Sequence, residues 1–258
     1  MPEIPSPKTL LSGTGMIAVG VISVLFWQSD NVSLWWVFAL GSSGWIVSLV
    51  LKLAWAVPLN KVIVTGLNRL AGESAGKLVS WIYIGLLTGI FECGVTYLFV
   101  VKSRLKTSDW NQAVAFGIGF GATEAVVLGL VSFIGSLVTI LSFDHSNADE
   151  KKKIIKAANR GTALILLPIV ERITALVIHA FSCVLIVYGV HTRHAIWFWL
   201  SFAFKSAIDS FAMWGIVDFQ VKESTTRLAQ FNLLIAGLAA VALLGMWLLH
   251  QKFLSLAT

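Results

Sequence analysis

Lys52, Glu92, Glu124, Glu171, Arg172, His179, Lys205 and Asp209 stand inside stretches that are otherwise apolar. An ionised side chain at mid-membrane costs at least a few kcal/mol, so such residues face a bundle interior, pair with one another and mark function. The set holds three bases, four acids and one histidine, a balance suited to an internal paired network. Carboxylates beside an imidazole can activate water, relay protons or bind a cation. Spacing narrows these possibilities. Lys205 and Asp209 are four residues apart and can pair along one helix face. Glu171 and His179 share a broad face but lie roughly 12 Å apart along a helix axis, too far for one compact metal site. Arg172 points about 100° away from Glu171 and is expected to pair with a different helix. Lys52 lies far enough along its segment to snorkel toward an interface.

The elements that position these residues are membrane spans. Of 258 residues, 57% are hydrophobic and 12% charged, about half the charge of a soluble domain. Mean hydropathy is +0.83. With 5 prolines, 21 glycines and 2 cysteines, disorder, collagen and a disulfide scaffold are excluded. Seven stretches have the roughly 20 apolar residues that a crossing needs: Leu10–Trp27, Leu34–Val57, Leu78–Val101, Gln112–Leu141, Thr162–Val190, His194–Ile216 and Leu228–Leu249. The fold class expected is an all-α, polytopic integral membrane bundle of about seven transmembrane helices, in one domain over residues 1–258. Leu10–Trp27 reads as a retained span because the preceding residues make a weak leader. Asn60–Gly76 is amphipathic, with Val62, Ile63, Leu67 and Leu70 suited to a short interfacial helix. Residues 144–160 read as a solvated basic loop, with anionic lipid as the sharper alternative. Trp27, Trp35, Trp36, Trp81, Trp110 and Trp197 lie near span ends, as aromatic belts do.

The net charge of +6 would suggest nucleic acid in a soluble protein; here loop lysines account for it, and no nucleic-acid partner is expected. One set of loops carries Lys8, then Lys61, Arg69 and Lys77, then Lys151, Lys152, Lys153, Lys156 and Arg160, then Lys222 and Arg227. The other carries only Lys102, Arg104, Lys106, Arg193 and Lys252. The positive-inside rule puts the first set in the cytoplasm, with the N-terminus inside and the C-terminus outside.

Several familiar layouts fail. GIGFGATEA lacks the third glycine and the preceding strand of a dinucleotide motif. Its Gly117 and Gly121 form a small-residue face for close helix approach, or leave room for a ligand beside Glu124. HExxH is absent, and Ser182 near His179 has no glycine-flanked elbow. A retinal lysine would be expected on the last span, which has none. Cys93 and Cys183 both sit in apolar runs, which argues against a disulfide. Mid-membrane charge with a glycine-rich helix also permits a proton- or solute-coupled transporter using Glu92, Glu124 and Asp209.

The series GIFECGVTY, FGIGFGATEA, VERITALVIHAFSCVL and SAIDSF, from about the second span to the sixth, resembles the YhfC-type membrane peptidases. These belong with the CAAX-type intramembrane proteases and with relatives of PrsW and of the gamma-secretase subunit Aph. The resemblance implies a CAAX-protease-like bundle with a polar cavity. There glutamate activates water and histidines bind a metal or stabilise an oxyanion. Glu92 matches the first glutamate of the pattern, Glu124 the one after the glycines, Glu171 and Arg172 the Glu-Arg pair, His179 its downstream histidine, and Asp209 the end of the last motif. Catalytic roles fall to Glu92, Glu124 and His179. Four positions depart. Cys93 replaces a second glutamate, Thr96 an arginine, Phe120 a glycine-flanked histidine and Lys205 a histidine. A zinc site needs about three protein ligands and an open fourth position, and His179 is the one imidazole left. The expectation is a degenerate site with no resident metal or cofactor, binding a hydrophobic peptide, a transmembrane segment or a lipid-like ligand. Membrane lipids are its other partners. The alternative is an active glutamate-dependent peptidase, for which zinc would be the cofactor. An odd number of spans sets a first test: reporter fusions at the two termini should report opposite faces, cytoplasmic at the N-terminus.

Overall fold

The computed structural model describes residues 7–28, 34–158, 162–219, 221 and 224–257. Among them the chain is helical, with no strand: α1 Leu10–Gln28, α2 Trp35–Ala71, α3 Glu73–Thr88, a π-turn Gly89–Cys93, α4 Gly94–Lys102, α5 Trp110–Leu141, α6 Ala148–Ala158, α7 Thr162–Thr192, α8 Ile196–Val217 and α9 Thr225–Ala257. Seven helical segments are long and apolar enough to cross a membrane, with α3, the π-turn and α4 joined in one of them.

Two elements differ from expectation. The amphipathic segment after Val57 is no separate helix, because α2 runs straight through Pro58. Proline removes one backbone bond, but the residues beyond it keep helical geometry until Gly72, whose φ of 78° ends the run. With 37 residues, α2 is about 55 Å long, so it extends well beyond the roughly 30 Å hydrocarbon layer. The basic stretch expected as a loop instead forms α6. Its start is a reciprocal cap: the Glu150 amide donates to Asn147 Oδ1 at 2.9 Å and the Asn147 amide donates to Glu150 Oε2 at 3.1 Å. That is the capping-box arrangement, with Asn as the capping residue. Arg160 and Lys222 lie outside the described residues, as do the side chains of Lys153 and Lys156.

The helices close into a ring: α2 packs on α5, α5 on α7, α7 on α8, α8 on α3 and α3 on α2. Helix α1 lies behind α5 and α7, and α9 lies against α7. The core is centred on α5, where every residue from Ala113 to Ala122 is buried. Glycine makes this possible at two close approaches. A methyl group on Gly117 would stand 2.6 Å from Ala180 Cα of α7, and one on Gly121 would stand 3.2 Å from His179 Cβ. The α5–α7 seam is thus a small-residue interface, since van der Waals contact rather than solvent exclusion holds helices together in lipid. Gly135, further along α5, has open space around it. Gly117→Ala should therefore destabilise the bundle by about 1–3 kcal/mol, whereas Gly135→Ala should be neutral, as read by denaturant unfolding in micelles.

Candidate functional site

The ring of helices surrounds a cavity of about 310 Å³ lined by all eight ionisable residues. Its remaining walls are apolar, including Trp45 and Leu49 of α2, Ile208 of α8, and Phe231 and Ile235 of α9. Glu92 enters from the π-turn. Such turns insert one residue into a helix and re-aim its side chains, here directing a carboxylate from the third span toward α2 and α8.

The charges form an ordered series. Asp209 lies 3.8 Å from Lys52, and Lys52 Nζ donates to Glu92 Oε1 at 3.0 Å. Lys205 Nζ is 2.9 Å from Glu92 Oε2, a close ion pair. His179 Nδ1 lies 3.3 Å from Lys205 Nζ, and His179 Nε2 is 2.8 Å from Glu124 Oε2. Arg172 then bridges Glu124 and Glu171, the latter at 2.6 Å. Acid alternates with base along the whole series, with His179 between Lys205 and Glu124. The imidazole thus faces a carboxylate on Nε2, and on Nδ1 both the Lys205 ammonium and, at 3.8 Å, Glu92 Oε2. This is the arrangement that buried charge requires, since each ion left alone would cost several kcal/mol.

The structure brings Glu92, Glu124 and His179 to one cavity, and it re-pairs two of the bases. Lys205 reaches across to Glu92 on the third span rather than along its own helix to Asp209. The π-turn delivers that carboxylate to it, while Asp209 takes Lys52 and the Thr88 hydroxyl instead. Lys52 turns inward to Glu92 and does not snorkel, because two carboxylates lie within its reach. Among the altered positions, Phe120 packs its ring on His179, centroids 5.2 Å apart. Cys93 points away from the cavity into a buried cluster with Ser182 and Ser201, at 3.9 and 3.6 Å. Both cysteines are free, and Thr96 is buried.

Two further participants were not singled out by sequence. The indole of Trp45 donates to Glu124 Oε2 at 3.1 Å, and Thr88 donates to Asp209. A mid-span tryptophan or threonine is unremarkable by type. Only Thr88 left a signal, standing four residues before Glu92 on the same span.

A polar chain enclosed by apolar helices, seeded by Glu92, Glu124, Glu171–Arg172 and His179, agrees with the comparison at family level. The model of the YhfC intramembrane metalloprotease family matches residues 15–225. The chain belongs to this family. It is a multi-pass integral membrane protein, with seven helices among the described residues long and apolar enough to cross the bilayer. No curated protein and no solved structure matches it.

The YhfC family's description implies a metal, and the donors of this chain do not fit one. Among the described residues no group of three His, Cys, Asp or Glu side chains is arranged to hold a metal ion. His179 is the one imidazole lining the cavity, and both of its nitrogens already face partners. Glu92 is held by two lysines, and Glu124 by Arg172, Trp45 and His179. A double-mutant cycle tests how tightly the series is coupled. Lys205→Met should destabilise the protein by about 3–5 kcal/mol by leaving Glu92 under-paired. Adding Glu92→Gln should recover part of that loss, read as unfolding midpoints in micelles.

Proposed function

We propose that this YhfC-family protein uses its intramembrane cavity to bind rather than to cleave. The ligand class is a hydrophobic peptide, with a transmembrane segment or lipid-like molecule as variants of it. The observation that carries this reading is the place of the Lys205 ammonium, 2.9 Å from a Glu92 oxygen and 3.3 Å from His179 Nδ1. A catalytic zinc ion would draw on carboxylate and imidazole donors of this kind. A fixed positive charge between them repels a divalent cation and supplies the charge balance that a metal would bring. Phe120 and Cys93 support the same view, since neither adds a donor to the cavity. The end of the bundle bearing α6 is assigned to the cytoplasm on the positive-inside rule.

One observation favours the alternative of a residual peptidase: the 2.8 Å contact between Glu124 and His179 in a cavity. A general base needs a free oxygen facing the attacking water. Glu124 has both oxygens engaged, one by Arg172 and the other by Trp45 and His179. Glu92 is held on both oxygens by lysine. Binding is therefore the better-supported use of these groups.

Metal analysis of purified protein separates the two. Wild type should carry zinc well below one equivalent, and the combined changes Lys205→His and Phe120→His should raise zinc uptake at least tenfold. The membrane proteome should be the same with wild type and with Glu124→Gln. Stoichiometric zinc in wild type that disappears in His179→Ala would overturn the proposal, as would an uncleaved membrane protein accumulating with Glu124→Gln.

A further inference from the structure

The charge series has a polarity that bears on what the cavity accepts. Its three bases are each held between partners: Lys52 between Asp209 and Glu92, Lys205 between Glu92 and His179, and Arg172 between Glu124 and Glu171. Its two ends are acids. Exposure follows the same order. The Lys205 and Arg172 side chains are 5% and 11% exposed and Lys52 25%, whereas Asp209 is 32% and Glu171 44% exposed. Glu171 and His179 lie roughly 12 Å apart along α7, with Glu171 nearer α6, so the cavity is most accessible toward that end of the bundle. A ligand arriving there meets two carboxylates, each with one base within 4 Å among these residues. It meets no base that is not already shared. Beside these acids run apolar walls from Ile178, Ile208, Ala212 and Phe231.

We infer that the cavity selects an apolar peptide segment carrying a lysine or arginine, its cationic head held by Glu171 or Asp209 and its apolar neighbours against the α7–α8–α9 wall. The inference rests on the binding function proposed above and names the chemistry of the ligand. The physical reason is pairing. The series ends in an acid on both sides, and these two are its most exposed members. A ligand cation would extend the alternation by one member. A ligand carboxylate would have to break a buried pair to find a partner, which is strongly unfavourable in a low-dielectric site. A neutral segment would gain only the apolar contact.

Short leucine-rich peptides with a central lysine, norleucine or glutamate provide the test, using the full chain in neutral-lipid nanodiscs with empty discs as the partition control. The lysine peptide should bind at least tenfold more tightly than the norleucine peptide, and the glutamate peptide most weakly. Glu171→Gln and Asp209→Asn together should abolish the lysine preference. Each alone should reduce it about threefold, which keeps the test decisive if the double variant fails to fold. Ala212→Trp, which fills the cavity wall, should weaken all three peptides. If lysine and norleucine peptides bind alike and both are lost in Ala212→Trp, the charge selection is wrong while binding in the cavity stands. If no peptide binds and Ala212→Trp changes nothing, the binding function falls and this inference with it. If dodecylamine binds at least as tightly as the lysine peptide and displaces it, the ligand is an amphiphilic amine, and the assignment to a peptide is overturned.

Discussion

Burying an ion in a membrane protein is tolerable only when an opposite charge is fixed close by, and that requirement governs the interior of this bundle. Seven formal charges and a histidine share one cavity. They are arranged so that acid follows base from Asp209 to Glu171. The alternation makes each member dependent on its neighbours. Losing one ion leaves its partners facing hydrocarbon or each other, so the network acts as a unit rather than as independent pairs. Such a network does not by itself stabilise a fold relative to apolar packing. Its retention across five helical segments is better understood as serving a site.

The rest of the architecture brings the members of this series within contact range. Glycine at 117 and 121 lets α7 approach α5 until His179 meets Glu124. The π-turn turns Glu92 toward two lysines on different helices. Thr88 and Trp45 supply the neutral hydrogen bonds that complete Asp209 and Glu124. Backbone irregularity and small residues thus serve the same end, since a helix standing about 3 Å too far away would roughly halve the Coulomb attraction of an ion pair and lose its hydrogen bond.

Membership of a metalloprotease family and a donor set that does not fit a metal are compatible once Lys205 is considered. An ammonium on a flexible stem is a compact charge with three donors and no acceptor. It can satisfy the carboxylate that a metal would otherwise neutralise, but it offers no open coordination position and polarises no carbonyl as a Lewis acid does. On the binding function proposed above, a lysine at this position keeps the electrostatic balance of the site without a metal's chemistry. With its charges paired in this way, the cavity is a shaped, partly polar space.

Much of this was legible in the chain. Composition alone specified an apolar helical bundle, because a bilayer admits so few ways of satisfying a backbone. The eight ionisable residues stood out because their type is costly where they lie. What the residues could not reveal is who pairs with whom. Spacing along α8 pointed Lys205 to Asp209, and only the π-turn on another span decided for Glu92. Lys52 was free by position to reach an interface and was drawn inward by two carboxylates contributed by other helices. Trp45 and Thr88 carried almost no signal, since their importance depends entirely on what faces them. Local chemistry and bilayer thickness are properties of sequence, whereas pairing across helices depends on separations of a few ångströms that exist only once the bundle has closed.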